Sequence, residues 1–114
     1  MRGIIFCTDT ERGNTQLLNL MDKYKLMDIP VQMQIRKQGY TLECGNGDYW
    51  KVHNTNALML LGARCNIVYV ERNIDYDVYK CCIAPCLTDF PYSAIHLWGE
   101  GDLHIDNTPD LPFR

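Results

Sequence analysis

The stretch GIIFCTDTERGNTQLLNLMDKY, residues 3–24, decides the fold. Gly3 to Cys7 is a continuous apolar run. It is short, and it lacks the alternation of a strand with one wet face, so it reads as a strand buried on both sides. Thr8 to Asn14 is polar and contains Gly13, which reads as a loop. From Thr15 onward the apolar positions Leu17, Leu20, Met21, Tyr24 and Met27 recur at helical spacing. Asp28-Ile29-Pro30 should end that helix, because the residue before proline disfavours helical geometry.

Beyond Pro30, Val31, Met33 and Ile35 alternate with Gln32, Gln34 and Arg36, the signature of a half-buried strand. Tyr40, Leu42 and Cys44 alternate again. Gly45-Asn46-Gly47-Asp48 is a turn, and Tyr49 to His53 is the returning arm of a β-hairpin. Asn54 or Thr55 can cap a short helix over Ala57 to Leu61, closed by Gly62. Asn66 to Glu71 is a second buried strand. A helix starting at Asn73 or Asp75 carries Ile74, Val78, Cys81 and Cys82 on one face and stops at Pro85. Tyr92 to Trp98 reads as the last strand. This order predicts an α/β fold, a small three-layer sandwich with a mixed, largely parallel sheet and one β-hairpin. The strands near residues 5, 68 and 95 should form its parallel centre, with the polar alternating strands at an edge. Residues 1–98 read as a single domain and 99–114 as an acidic C-terminal tail.

The chain has 114 residues, 46% of them hydrophobic, and a net charge of −3. That suits one globular domain. No run is long enough to span a membrane. The apolar run after Met1 is too short for a signal-peptide core, so a cytoplasmic location is expected. The six cysteines then read as thiols rather than disulfides. Cys81, Cys82 and Cys86 form C-C-x-x-x-C, without the paired C-x-x-C knuckles of a zinc site, so no metal is expected even with His53, His96 and His104 in the chain. Lysine and arginine are scattered, which excludes strong non-specific nucleic-acid binding as an expectation but leaves room for a local patch made by folding.

Chemistry in such folds gathers beyond the C-terminal strand ends. Those ends offer Thr8, Asp9 and Thr10, then Glu71 and Arg72, then Glu100. A phosphate-binding loop would read G-x-x-x-x-G-K-[ST]. In T-D-T-E-R-G-N-T, Gly13 and Thr15 match that spacing, Thr8 stands for the first glycine, and Asn14 stands for the lysine. Asp9 and Glu11 add negative charge, each opposing a triphosphate by about 1 kcal/mol. Cys7 and Arg12 are one residue too close together for a phosphatase loop. Asp9, Glu71 and Glu100 could converge on a metal in a nuclease, although solvated acids are common at strand ends.

The loop-helix unit, the Asn-Gly hairpin turn, Leu61-Gly62-Ala63-Arg64 and Ile67-Val68-Tyr69-Val70-Glu71 follow one another in an order that resembles the ATPase core of phage large terminases and related P-loop proteins. The likeness runs over residues 3–98. It implies a phage or mobile-element protein. It also implies ATP or GTP with magnesium at Arg12, Gly13 and Thr15, and Glu71 as the acid. The chain departs from the family's pattern at Asn14, and at Arg72, which stands in place of a second acid; those departures imply that hydrolysis is lost or severely impaired. The favoured expectation is therefore a non-catalytic interaction protein without a cofactor. Its partner would be another protein, met through Tyr49 and Trp50 on the hairpin and through Glu100 and Asp102 in the tail. Homodimerisation through an edge strand is a further expectation. Nucleotide binding with weak hydrolysis, and a metal-dependent nuclease, are the alternatives.

Overall fold

The computed structural model describes residues 1–56, 64–87 and 95–103. Strand β1 (Arg2–Cys7) leads into helix α1 (Thr10–Leu26), followed by β2 (Val31–Gln34), β3 (Thr41–Cys44), β4 (Tyr49–Asn54) and β5 (Ile67–Glu71). A short helix α2 (Tyr76–Val78), a π-helical turn (Tyr79–Ile83) and a 3-10 turn (Ala84–Cys86) precede β6 (Ile95–Trp98). One six-stranded sheet runs in the order β2-β3-β4-β1-β5-β6. The four strands β4, β1, β5 and β6 are parallel, and β2-β3 and β3-β4 are antiparallel. The expected mixed α/β sheet is therefore present, and its hairpin extends into a three-strand meander.

β1 sits inside the sheet and is buried from Gly3 to Cys7. Its alternation divides the core into two layers. Ile4 and Phe6 join Val68, Val70, Ile74, Tyr79 and Ile83 on one face. Ile5 and Cys7 join Leu17, Leu20, Tyr24, Leu42, Trp50 and Val52 beneath α1 on the other. Strands buried on both faces need helices on both sides, which is why the apolar runs of β1 and β5 lie inside the sheet; the expected central strand near residue 95, β6, is instead an edge strand, and β4, the returning hairpin arm, lies inside beside β1.

Three expectations are corrected. The loop expected over Thr8 to Asn14 is only Thr8-Asp9, because α1 already begins at Thr10. Glu11 in the first turn suits the positive helix terminus. Gly13 is tolerated because α1 lies so close to the sheet there: a Cβ would stand 2.6 Å from both Cys7 Sγ and Val52 Cγ1. The second helix does not run unbroken to Cys82. It loosens into the π-helical turn and ends in the 3-10 turn containing Pro85, which has no N–H to carry the ladder on. Packing also continues past Trp98. Leu103 is buried, and its N–H donates to Arg72 O at 2.9 Å. The helix expected over 57–61, and residues 104–114 of the expected tail, lie outside the described residues.

Candidate functional site

After β1 the chain moves through α1 toward the β2-β3-β4 side, whereas after β5 it moves toward β6. Neighbouring strands whose connections part in this way leave a crevice at their C-terminal ends, the usual place for a ligand in an open α/β sheet. Here a side chain of the protein occupies it. Glu71, 2% exposed, ends β5. Its Oε1 accepts from Thr8 N at 2.9 Å and from Thr8 Oγ1 at 3.1 Å. Its Oε2 accepts from Arg12 Nε at 2.7 Å. Arg12 also donates to Thr8 Oγ1 at 2.9 Å and lies 3.5 Å from Asp9 Oδ2. Asn73 Nδ2 donates to Thr8 Oγ1 at 2.8 Å, and Asn56 Nδ2 donates to Thr8 O at 3.0 Å.

The two-residue connection between β1 and α1 is what brings Arg12, in the first turn of the helix, over Glu71. The guanidinium answers a buried carboxylate that would otherwise be very unfavourable. Glu71 chiefly, through a hydrogen bond, and its charge and that of Asp9 behind that, raise the Arg12 pKa above its ordinary value. Glu71 thus sits where an external anion would, with both oxygens engaged by Thr8 and Arg12.

The residues expected around a nucleotide fall in different places. Gly13 is buried under α1 against Cys7 and Val52. Thr15 is exposed, and its Oγ1 donates back to Glu11 O at 3.0 Å. Arg12 and Thr15 do share an open pocket of about 370 Å3 with Asp9, Glu11, Gln16 and Trp98. Trp98 Nε1 is buried and has no hydrogen-bond partner.

Cys7 is no nucleophile in this arrangement. Burial first, and then the Glu71 charge, push its thiol up to about 11, and its Sγ donates to His53 O at 3.6 Å. Among the described residues no three His, Cys, Asp or Glu side chains come together to hold a metal ion. Asp9 and Glu71 are bridged by Arg12, and Glu100 is exposed.

Of the four residues expected at an interface, Trp50 is corrected. It is 2% exposed, and its Nε1 donates to Tyr24 Oη at 2.9 Å while Tyr24 Oη donates to Asp48 Oδ2 at 2.7 Å. An indole with its polar edge satisfied is a core anchor. Tyr49 points to the opposite face and is half-buried; Glu100 and Asp102 are exposed.

The sequence reading missed the part played by Thr8, Asn56 and Asn73. Their signal was available only as small polar residues just after β1, β4 and β5. Comparison with known protein families, with characterised proteins and with solved structures gives no match.

Proposed function

We propose that this chain is a non-catalytic interaction protein that pairs, through the open edge of β2, with a second copy of itself. The observation that carries this reading is the chemistry of that edge. β2 is an end strand of the sheet. Gly45 N donates to Pro30 O, and the register places Gln32 opposite Glu43 and Gln34 opposite Thr41. Antiparallel alternation then turns the amides and carbonyls of Gln32 and Gln34 toward β3, and those of Val31 and Met33 outward. Edge strands are ordinarily guarded by charge, proline or a bulge. Residues 31–35, VQMQI, carry no charge, and Ile35 is 77% exposed.

That segment is self-complementary. Antiparallel pairing about Met33 sets Val31 against the other copy's Ile35 and Gln32 against its Gln34, with every outward-pointing amide matched. Val31 and Met33 already pack partly on the α1 face, so the apolar layer would continue across the join. Exposed Asp28 would come near the other copy's Arg36-Lys37. The ion pair with Arg12 and the three hydrogen bonds that Glu71 accepts fit a structural carboxylate, which supports the non-catalytic part of the reading.

Light scattering across a concentration series tests it. The wild-type chain should dimerise, and Ile35→Lys or Met33→Pro should be monomeric with the fold intact by circular dichroism. Of the backbone groups, proline at 33 removes an outward N–H and no bond to β3. A wild-type chain that stays monomeric at high micromolar concentration would sink the proposal.

The nucleotide alternative has one observation in its favour, the pocket shared by Arg12, Thr15 and Trp98. Asp9 and Glu11 line the same pocket and oppose a polyphosphate. A thermal shift with ATP and magnesium that disappears in Thr15→Val would revive it.

A further inference from the structure

The opposite end of the same strands carries a different kind of site. Arg2, Gly3, Ile4, Tyr49, Lys51 and Arg64 line a pocket of about 210 Å3. The sheet register builds it. Arg2 pairs with Tyr49 and Ile4 with Lys51 across the parallel β1-β4 ladder. Alternation therefore puts these four side chains on one face. Arg64, just before the bridge between Cys65 and Leu87, completes the wall.

Three of the six lining residues are cations and none is an acid. This is unusual in a chain of net charge −3. Among the described residues none of the three makes an ion pair. Among the described residues the side-chain hydrogen bond from this set is from Arg64 Nη1 to Pro85 O at 3.4 Å. Asp48 is next to Tyr49 in sequence, but it points toward Tyr24 and Asn46. Lysine beside two arginines in one concavity is a repulsive arrangement unless an anion joins it. The Lys51 charge is also felt nearby: second to burial, it helps hold His53 below its ordinary pKa.

The geometry points to a binding site for a terminal phosphate group at Arg2, Lys51 and Arg64. The pocket is smaller than the roughly 300–1,000 Å3 that encloses a whole drug-sized ligand, so it takes the phosphoryl end and leaves the rest of the molecule outside. Arginine offers paired N–H donors to phosphate oxygens, and lysine a compact charge. Tyr49 at the rim offers an aromatic face and a hydroxyl to whatever the phosphate is attached to. A phosphomonoester or free phosphate fits better than a nucleic-acid backbone, because the overall negative charge of the protein repels a long polyanion.

Isothermal titration with inorganic phosphate, with glycerol phosphate and with a single-stranded oligonucleotide lacking terminal phosphates tests the assignment. The two small ligands should bind and the oligonucleotide should not. Lys51→Met and Arg64→Gln should each weaken binding by about tenfold, whereas Lys23→Gln, on exposed α1 surface, should leave it unchanged. Arg64 is exposed, so its variant should fold even if that of Lys51 does not. Binding of phosphate without glycerol phosphate would mark a free-phosphate site, and binding of both a phosphomonoester site; either supports the assignment. No binding of either at millimolar concentration would overturn it, as would binding of the oligonucleotide alone or affinity unmoved by both variants.

Discussion

The two ends of β1 handle charge in opposite ways. At the C-terminal end a buried carboxylate meets a guanidinium, a hydroxyl and a backbone amide, and every formal charge in the crevice has a partner. At the N-terminal end three cations face one pocket with no carboxylate among its lining residues. In the conventional ligand crevice of the fold the protein's own Glu71 takes up the cation Arg12, whereas the cations at the other end have no such internal partner among the described residues. A shared architecture therefore says where ligands usually sit, and the charge balance of each end says whether one is wanted there.

The sharpest way to break this comparison is to remove the internal anion. Glu71→Leu leaves the part-buried Thr8 N–H without its acceptor, while the half-exposed Arg12 returns to water, and should lower unfolding stability by about 1–3 kcal/mol, read from urea denaturation. The packing of this end also depends on how near α1 lies to the sheet. Gly13→Ala forces a methyl onto Cys7 Sγ and Val52 Cγ1 and should lose about 1–3 kcal/mol. Adding Val52→Ala should recover part of that loss, and a double-mutant cycle measures how much.

At the other end the effects should be smaller and of opposite sign. Arg64→Gln relieves repulsion among exposed cations, so stability should stay within about 0.5 kcal/mol of wild type or rise slightly. The thermal midpoint of the wild type should rise with added sodium chloride more than that of the variant does, because screening acts on the same repulsion.

A pH series separates the ends in another way. Burial, with Lys51 behind it, holds His53 below its ordinary pKa, and its Nε2 is buried without a partner. As pH falls the unfolded chain takes up that proton first. Stability should therefore be full above about pH 6.5 and decline below it, until the folded imidazole titrates too. His53→Gln should flatten that decline. An unchanged acid limb in the variant would assign it to other groups.

Much of the scaffold was legible in the residues. The runs at Gly3–Cys7 and Ile67–Val70, the alternation of Val31 and Met33, and the Asn46-Gly47 turn each act locally, so local pattern exposes them. The start of α1 was not legible. Glu11 to Asn14 looks like a loop because glycine is a poor helix former, and only the closeness of Cys7 and Val52 explains why glycine is needed there. Trp50 gave no sign of which of two adjacent aromatics faced inward; its indole found Tyr24 from another element. The cationic pocket was equally hidden. Arg2, Lys51 and Arg64 are far apart in the chain, and a parallel ladder between β1 and β4 leaves no mark in either strand alone. At the Glu71 crevice the acid, Thr8 and Arg12 each stood out near a strand end, but nothing in the local pattern showed that they bond to one another.

The connection of Thr8 and Asp9 also has a mechanical consequence. With so little slack, and with Thr8 fastened to Glu71, Asn56 and Asn73, α1 has no hinge at its first turn. A load on the far tip of the helix would be passed straight to β1 and β5 instead of being absorbed by a flexible joint. Inserting a few glycines between Thr8 and Asp9 would uncouple that lever. It would also supply the length of backbone that a phosphate-cradling loop needs before it can form here at all.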